Sequence, residues 1–270
     1  MKIDLFNLKD RYIIITGAAG LLGYHHSLAL LEINCNLILT DINLKQLSKK
    51  RNKLKKLFPK NKISAYKMDV TNENSILEVL NKIQNNKIKL YGLINNAAID
   101  SKLDSVGKFT SNNKFENFDL KRWNKELDVG LTGAMLCSKN FGKIIKKNRN
   151  GGVILNVASD LSVISPNQSL YGKKDFKPIT YSVIKHGLIG LTKYLATYWS
   201  KNNIRCNAIS PGSVYNKQSK IFVNKLNKLI PLNRMAKKNE YKTAIQFIFS
   251  DGSSYMTGQN LVIDGGRSIW

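Results

Sequence analysis

The sequence predicts a doubly wound α/β fold, a parallel sheet of about seven strands with helices on both faces. Three observations carry that expectation. Short β-rich runs alternate with helix-length segments; each run fits a strand buried on both faces; and no Pro- or Ser-rich linker or shift in composition divides the 270 residues. One domain spanning 1–270 is expected, long enough for a well-buried core.

In order, the strands read "RYIIIT" (11–16), "CNLILT" (35–40), "ISAYKM" (63–68), "KLYGLIN" (89–95), "GGVILNV" (151–157), "IRCNAIS" (204–210) and "NLVID" (260–264). The first runs into "TGAAGLLG" (16–23) and then "YHHSLALLE", which has helical spacing. Two long helical patterns, "WNKELDVGLTGAMLCSKNFGKIIKK" and "YSVIKHGLIGLTKYLATYWSK", follow the fourth and fifth strands. After the sixth strand the chain runs far without another. No internal repeat is visible, and low complexity is confined to a Lys/Asn bias.

The strand ends suggest a dinucleotide. In the turn after the first strand, the backbone at Gly17, Gly20, Leu22 and Gly23 can approach a pyrophosphate whose charge sits at a helix N-terminus. A tight turn that needs Gly for conformation alone is the competing account. Asp41 ends the second strand, where a carboxylate accepts from the adenosine ribose hydroxyls and repels a 2′-phosphate, so NAD is favoured over NADP. Its alternative is capping the helix that begins near Asn43. Asp69 in "KMDVT" accepts from an adenine amino group, with Val70 beside the ring, or is itself a helix cap. "NNAAI" closes the fourth strand with small residues, placing Asn96, Ala97 and Ala98 beside the cofactor. His25 and His26 read as packing or surface residues rather than ligands.

With 43 Lys and Arg against 18 Asp and Glu, the formal net charge is +25. Scattered lysines ("KKRNKLKKLF", "KIIKKNRN") and the absence of any nucleic-acid motif favour solvated helix faces, with attraction of an anionic substrate next and nucleic-acid binding last. Cys35, Cys137 and Cys206 are widely spaced in apolar segments and read as core residues of a reducing compartment, with neither a disulfide framework nor a metal site expected. No signal-like or membrane-length apolar run occurs, so a cytoplasmic protein is expected.

"YSVIK" puts Tyr181 and Lys185 one helical turn apart. That spacing is common on helices, but a tyrosine with a pKa of ~10 needs a nearby cation to serve as a base at neutral pH, and this lysine supplies one. With "TGAAGLLG", "NNAA", "NAISPGSV" and "YMTGQNLVIDGG" in this order, nearly the whole chain resembles the single-domain short-chain dehydrogenases/reductases, which have the Rossmann fold. The resemblance implies that Tyr181 is the acid/base, that Lys185 assists it and binds the nicotinamide ribose, and that Ser159 in "NVASDLS" orients the reacting oxygen. Pro211, Gly212 and Val214 would border the nicotinamide, and Asn216 the substrate, in a region that closes over the site.

Two departures stand out. Gly130 in "DVGLTGAML" occupies the position where such enzymes usually carry a catalytic Asn, and Leu21 replaces a usual Gly. The segment from Ser159 to Tyr181 is longer than usual and places Gln168 and Tyr171 as substrate contacts, with Lys173, Lys174 and Lys177 suited to a phosphate. This loop and the ending "SYMTGQNLVIDGGRSIW" look most like the subgroup of bacterial surface-polysaccharide and flagellin-glycan synthesis, typified by flagellin modification protein A. That implies an NAD-dependent oxidoreductase acting on a sugar, sugar phosphate or nucleotide sugar and assembling as a homodimer or homotetramer. The competing expectation, motivated by Gly130, is a catalytically impaired dinucleotide-binding relative that acts as a sensor or assembly partner.

Overall fold

Alternation within the first strand organises the molecule. In the computed structural model, which describes residues 5–99, 112–172 and 175–270, β1 (Tyr12–Ile15) sends Ile13 and Ile15 to one face of the sheet and Ile14 to the other. The first pair packs with Leu37, Leu39, Leu30 and Phe249, while Ile14 packs with Ile38, Leu93, Phe141 and Trp199. Two apolar layers thus sandwich one sheet, which is why these strands are apolar at successive positions rather than alternating.

The sheet contains β1, β2 (Asn36–Asp41), β3 (Ile63–Lys67), β4 (Leu90–Asn95), β5 (Gly152–Val157), β6 (Ile204–Pro211) and β7 (Asn260–Ile263). Every pairing is parallel, in the order β3-β2-β1-β4-β5-β6-β7. The fold is a single parallel seven-stranded sheet flanked by helices, as the alternation predicts. Between β1 and β4 the strand order reverses, which opens a crevice at the carboxyl ends of the strands. Glycine turn, Asp41, Asn95, Ser159 and Gly212 all lie at or just beyond those ends.

The helices are α1 (Leu21–Leu31), α2 (Leu44–Leu57), α3 (Glu73–Asn85), α4 (Leu120–Leu127), α5 (Gly133–Ile145), α6 (Ile179–Tyr198), α7 (Lys220–Asn227) and α8 (Lys242–Phe249). The first long helical pattern is α4 and α5 joined by a π turn over Asp128–Thr132. Asn43 and Asn72 cap α2 and α3 through their own side chains, so neither Asp41 nor Asp69 is the cap residue of these helices. Cys35, Cys137 and Cys206 are fully buried; burial pushes their thiols up in pKa and leaves them neutral.

Candidate active site

The glycine turn folds tightly because its neighbours leave no room for side chains. Gly17 has φ +61°, and a Cβ there would meet Ala97 Cα at 2.8 Å; a Cβ on Gly23 would meet Gly17 O at 2.5 Å. Thr16 ties this turn to β4: its hydroxyl oxygen accepts from the N–H groups of Asn96 and Ala97, both at 3.0 Å. The Asn96 amide donates to Thr16 O and Gly17 O. No side chain caps the N-terminus of α1 at Gly20. An uncapped, glycine-lined helix N-terminus fits a pyrophosphate. Leu21, in place of a usual Gly, and Leu22 open the first turn of that helix.

Asp41 bridges two backbone segments. Its Oδ2 accepts Ala19 N–H at 3.0 Å and its Oδ1 accepts Asn43 N–H at 2.9 Å. Each carboxylate oxygen keeps a further lone pair, so the group can also take ribose hydroxyls. Asp69 Oδ1 accepts from Thr71 N–H and Oγ1–H. Val70 is buried beside it and packs close to Gly133. Ala98 is exposed at the end of β4.

Tyr181 sits in the first turn of α6 and is half-buried. Two ammonium groups approach its ring: Lys177 Nζ at 3.8 Å from the centroid and Lys185 Nζ at 5.6 Å. Lys185 is buried, and its Nζ donates to Val157 O at 2.8 Å. This bond joins α6 to the end of β5, two residues before Ser159. Packing of α6 on the 3₁₀ turn Asp160–Ser162 brings the Ser159 and Tyr181 segments together. The Lys185 bond to Val157 O and the packing of α6 on the Asp160–Ser162 turn thus put the segments that carry Ser159, Tyr181 and Lys185 next to one another.

Buried side chains brace both hydroxyl-bearing residues. Thr180 Oγ1 donates to Glu126 Oε2, while Glu126 Oε1 accepts from Arg122 Nε at 2.7 Å. Arg122 also donates to Asn113 Oδ1 at 2.8 Å. On the other side, Ser159 Oγ donates to Asp160 Oδ1 at 2.8 Å, and Asp160 Oδ2 pairs with Arg267 Nη1 at 2.7 Å. Removing one partner from such a buried pair typically costs about 3–5 kcal/mol. Sequence reasoning missed Glu126, Arg122, Asp160 and Arg267. Only Asp160, adjacent to Ser159, carried any local signal.

Gly130 has a packing reason. A Cβ there would meet Ile184 Cγ2 at 2.8 Å, and Ile184 is the residue before Lys185 on α6. At the π turn, the glycine lets the α4–α5 rod approach the helix that carries Tyr181 and Lys185.

A cleft of about 680 Å³ beside this centre is lined by residues that include Asn113, Lys114, Gln168, Lys177 and Ser182. Gln168 Oε1 accepts the Lys177 N–H at 2.9 Å. Tyr171 packs on Phe222 of α7, with ring centroids 5.9 Å apart, within an apolar cluster that includes Leu170 and Met235. That contact ties the long loop to the segment after β6. Asn216 is exposed in the turn before α7 and does not line the cleft. Lys173 and Lys174 lie outside the described residues. Pro211 and Gly212 end β6, where Gly212 N–H donates to Ile263 O at 2.8 Å. Val214 bridges to Ala236. His26 is buried and its pKa is pushed down to about 3 by desolvation, so it is neutral and a packing residue. Among the described residues no cluster of His, Cys, Asp and Glu could hold a metal, and no helix is long and apolar enough to cross a membrane.

Comparison with known proteins bears on this arrangement. The family profile for Enoyl-(Acyl carrier protein) reductase matches residues 17–268. A short chain dehydrogenase/reductase of Gibberella zeae is 32% identical over 79% of this chain and 73% of its own. The post-translational flagellin modification protein A of Campylobacter coli is 28% identical over 97% and 100% of the two chains, and an NADP-dependent mannitol dehydrogenase of Alternaria alternata 30% over 98% and 95%. A Leptospira borgpetersenii short chain dehydrogenase solved with bound NAD+ superposes with a TM-score of 0.85 at 28% identity, covering 100% and 97% of the two chains.

Proposed function

The chain belongs to the short-chain dehydrogenase/reductase family and is an NAD(P)-dependent oxidoreductase of CH–OH groups; from that premise we propose that it uses NAD to interconvert a secondary alcohol and a ketone on a sugar, sugar phosphate or nucleotide sugar. The observation that carries this reading is the junction of α6 with the end of β5, where Lys185 is anchored on Val157 O one helical turn from Tyr181 and two residues from the Ser159 segment.

When bound, the dinucleotide supplies the site that accepts or returns hydride. The chain's own residues handle the proton and the reacting oxygen. Ser159 and Tyr181 hold the substrate hydroxyl through hydrogen bonds. In the oxidation direction the Tyr181 phenolate oxygen takes that hydroxyl's proton; in ketone reduction the phenol returns one to the new alkoxide. Lys185 balances the phenolate charge and, fixed by Val157 O, needs no reorganisation to do so. Lys177, over the same ring, adds a second positive charge.

Preference for NAD rests on the Asp41 carboxylate at the ribose end, which opposes a 2′-phosphate. Asp69 would take the adenine amino group. Relatives of both cofactor types occur, so the preference is this chain's own. A glycan-synthesis role rests on likeness to the flagellin modification protein and on the cationic cleft residues Lys114 and Lys177. A cytoplasmic homo-oligomer, packed through α4–α5 and α6, completes the reading.

The test is titration with NADH and NADPH by fluorescence, followed by a panel of polyols, sugars, sugar phosphates and nucleotide sugars with each oxidised cofactor. Tighter NADH binding with turnover of a carbohydrate member is expected. NADH binding without turnover on any member would favour a non-catalytic dinucleotide-binding protein instead.

A further inference from the structure

Asp160 and Arg267 are 3% and 7% exposed, and their side chains pair at 2.7 Å. A buried ion pair is weak evidence for stability, because apolar residues of similar volume often serve as well. Its geometry points elsewhere. The carboxylate is divided: Oδ2 faces the guanidinium, while Oδ1 accepts both the Ser159 hydroxyl at 2.8 Å and Leu161 N–H at 2.9 Å. Ser159 Oγ in turn accepts Leu161 N–H at 3.2 Å.

Arg267 arrives from a firmly built turn. Asp264 Oδ1 accepts Gly266 N–H at 2.9 Å and its Oδ2 accepts Ser268 N–H at 2.8 Å, with Gly265 and Gly266 at φ +70° and +90°. Leu232 N–H donates to Gly265 O at 3.2 Å, and Trp270 Nε1–H to Leu229 O at 3.1 Å. The C-terminal turn is thereby fastened to the segment after α7, with the guanidinium reaching back to the end of β5.

We propose that Arg267 is a positioning residue of the active site, sharing the Asp160 carboxylate so that Asp160 orients the Ser159 hydroxyl without immobilising it. The inference rests on the reading of Ser159, Tyr181 and Lys185 as the reacting centre. To donate to the oxygen of a ketone, the Ser159 hydroxyl must turn away from Asp160. A carboxylate already neutralised by a guanidinium releases that proton readily. Left buried and unpaired, it would keep the hydroxyl for itself. Dinucleotide binding, built at the far end of the sheet edge by the glycine turn and Asp41, is untouched by this exchange.

The experiment compares wild type, Arg267→Met, Arg267→Lys and Tyr181→Phe. It measures kcat and KM on whichever panel member the wild type turns over fastest, together with the NADH Kd and Tm. Arg267→Met is expected to lower kcat by about ten- to a hundredfold, as a misplaced reacting group does, with KM and NADH Kd held within about twofold. Arg267→Lys keeps the charge without the planar fork and should recover part of the loss; it also serves if the Met variant fails to fold. A folded Arg267 variant with wild-type kcat overturns the proposal. If Tyr181→Phe is inactive while the Arg267 variants are unimpaired, only this inference falls; if Tyr181→Phe remains active, the reading beneath it falls. A crystal structure of either Arg267 variant needs no substrate. A Ser159 Oγ–Asp160 Oδ1 distance held at or below its 2.8 Å supports the proposal, and a Ser159 hydroxyl parted from Asp160 overturns it.

Discussion

At the ends of β1 and β4, the proposed dinucleotide end of the site is made of main-chain groups and small residues: the glycine turn, the uncapped start of α1, the Thr16 hydroxyl beneath Asn96 and Ala97. At the ends of β5 to β7, the proposed reacting end is made of side chains paired across long stretches of chain. Thr180 meets Glu126, 54 positions away, and Asp160 meets Arg267, 107 positions away. Backbone geometry is dictated by local residue type, so the first region can be written in a motif. Side-chain pairs between distant segments have no fixed spacing, and the second region can vary its partners while the fold persists.

The comparison breaks most readily at Lys185. Lys185→Met removes the charge beside Tyr181 and leaves the buried Val157 carbonyl without its donor. Hydride transfer is expected to fall by about 10²–10⁴-fold, while NADH binding at the glycine turn persists, weakened only by the lost ribose contact. Steady-state rates beside fluorescence titration would check this, and an unchanged rate would place the chemistry elsewhere.

Asp41→Ala strikes the other region. NADH affinity should drop by roughly ten- to a hundredfold and NADPH should gain on it, because the carboxylate that opposes a 2′-phosphate is gone. Wild-type discrimination between the two cofactors after this change would remove Asp41 from that role.

His26, on α1 in the proposed dinucleotide half, makes that half sensitive to acid. Its folded pKa is pushed down to about 3 by burial, against ~6.5 in the unfolded chain. Between those values the unfolded state binds more protons, so stability is present above 6.5 and is lost as pH falls towards 3. The loss at pH 5 is about 2 kcal/mol. His26→Leu should flatten the fall of Tm between pH 7 and pH 5; parallel profiles for the two proteins would contradict the burial argument.

The smallest effect is expected at Gly130. Gly130→Ala presses a methyl on Ile184 and should cost about 1 kcal/mol, seen as a lower urea midpoint. Pairing it with Ile184→Val should restore part of the loss. A stabilised Gly130→Ala protein would show that the close approach of the two helices is not what the glycine serves.

These contrasts also explain what could be read from residues alone. The seven strands and their parallel pairing follow from apolar runs that recur at βα spacing. "TGAAGLLG", Asp41 and "YSVIK" could be singled out from the sequence because each expectation rests on a few adjacent positions. Arg267 could not, since nothing in "DGGRSIW" reveals that its guanidinium lies against Asp160. The packing of the Tyr171 ring on Phe222 was not legible either, being set by α7 rather than by the loop sequence. Gly130 stands where a catalytic Asn is expected, and nothing in "DVGLTGAML" reveals that Ile184 leaves no room there for a side chain.

The central claim, that Tyr181 moves the proton while the opposite end of the sheet edge holds the dinucleotide, is tested most directly by Tyr181→Phe. NADH titration and turnover of the carbohydrate panel would be measured on the same preparations of wild type and variant. The account predicts wild-type turnover of a panel member, a loss of about 10³-fold in the variant and an NADH Kd unchanged within about twofold. Equal turnover by the two proteins would contradict it.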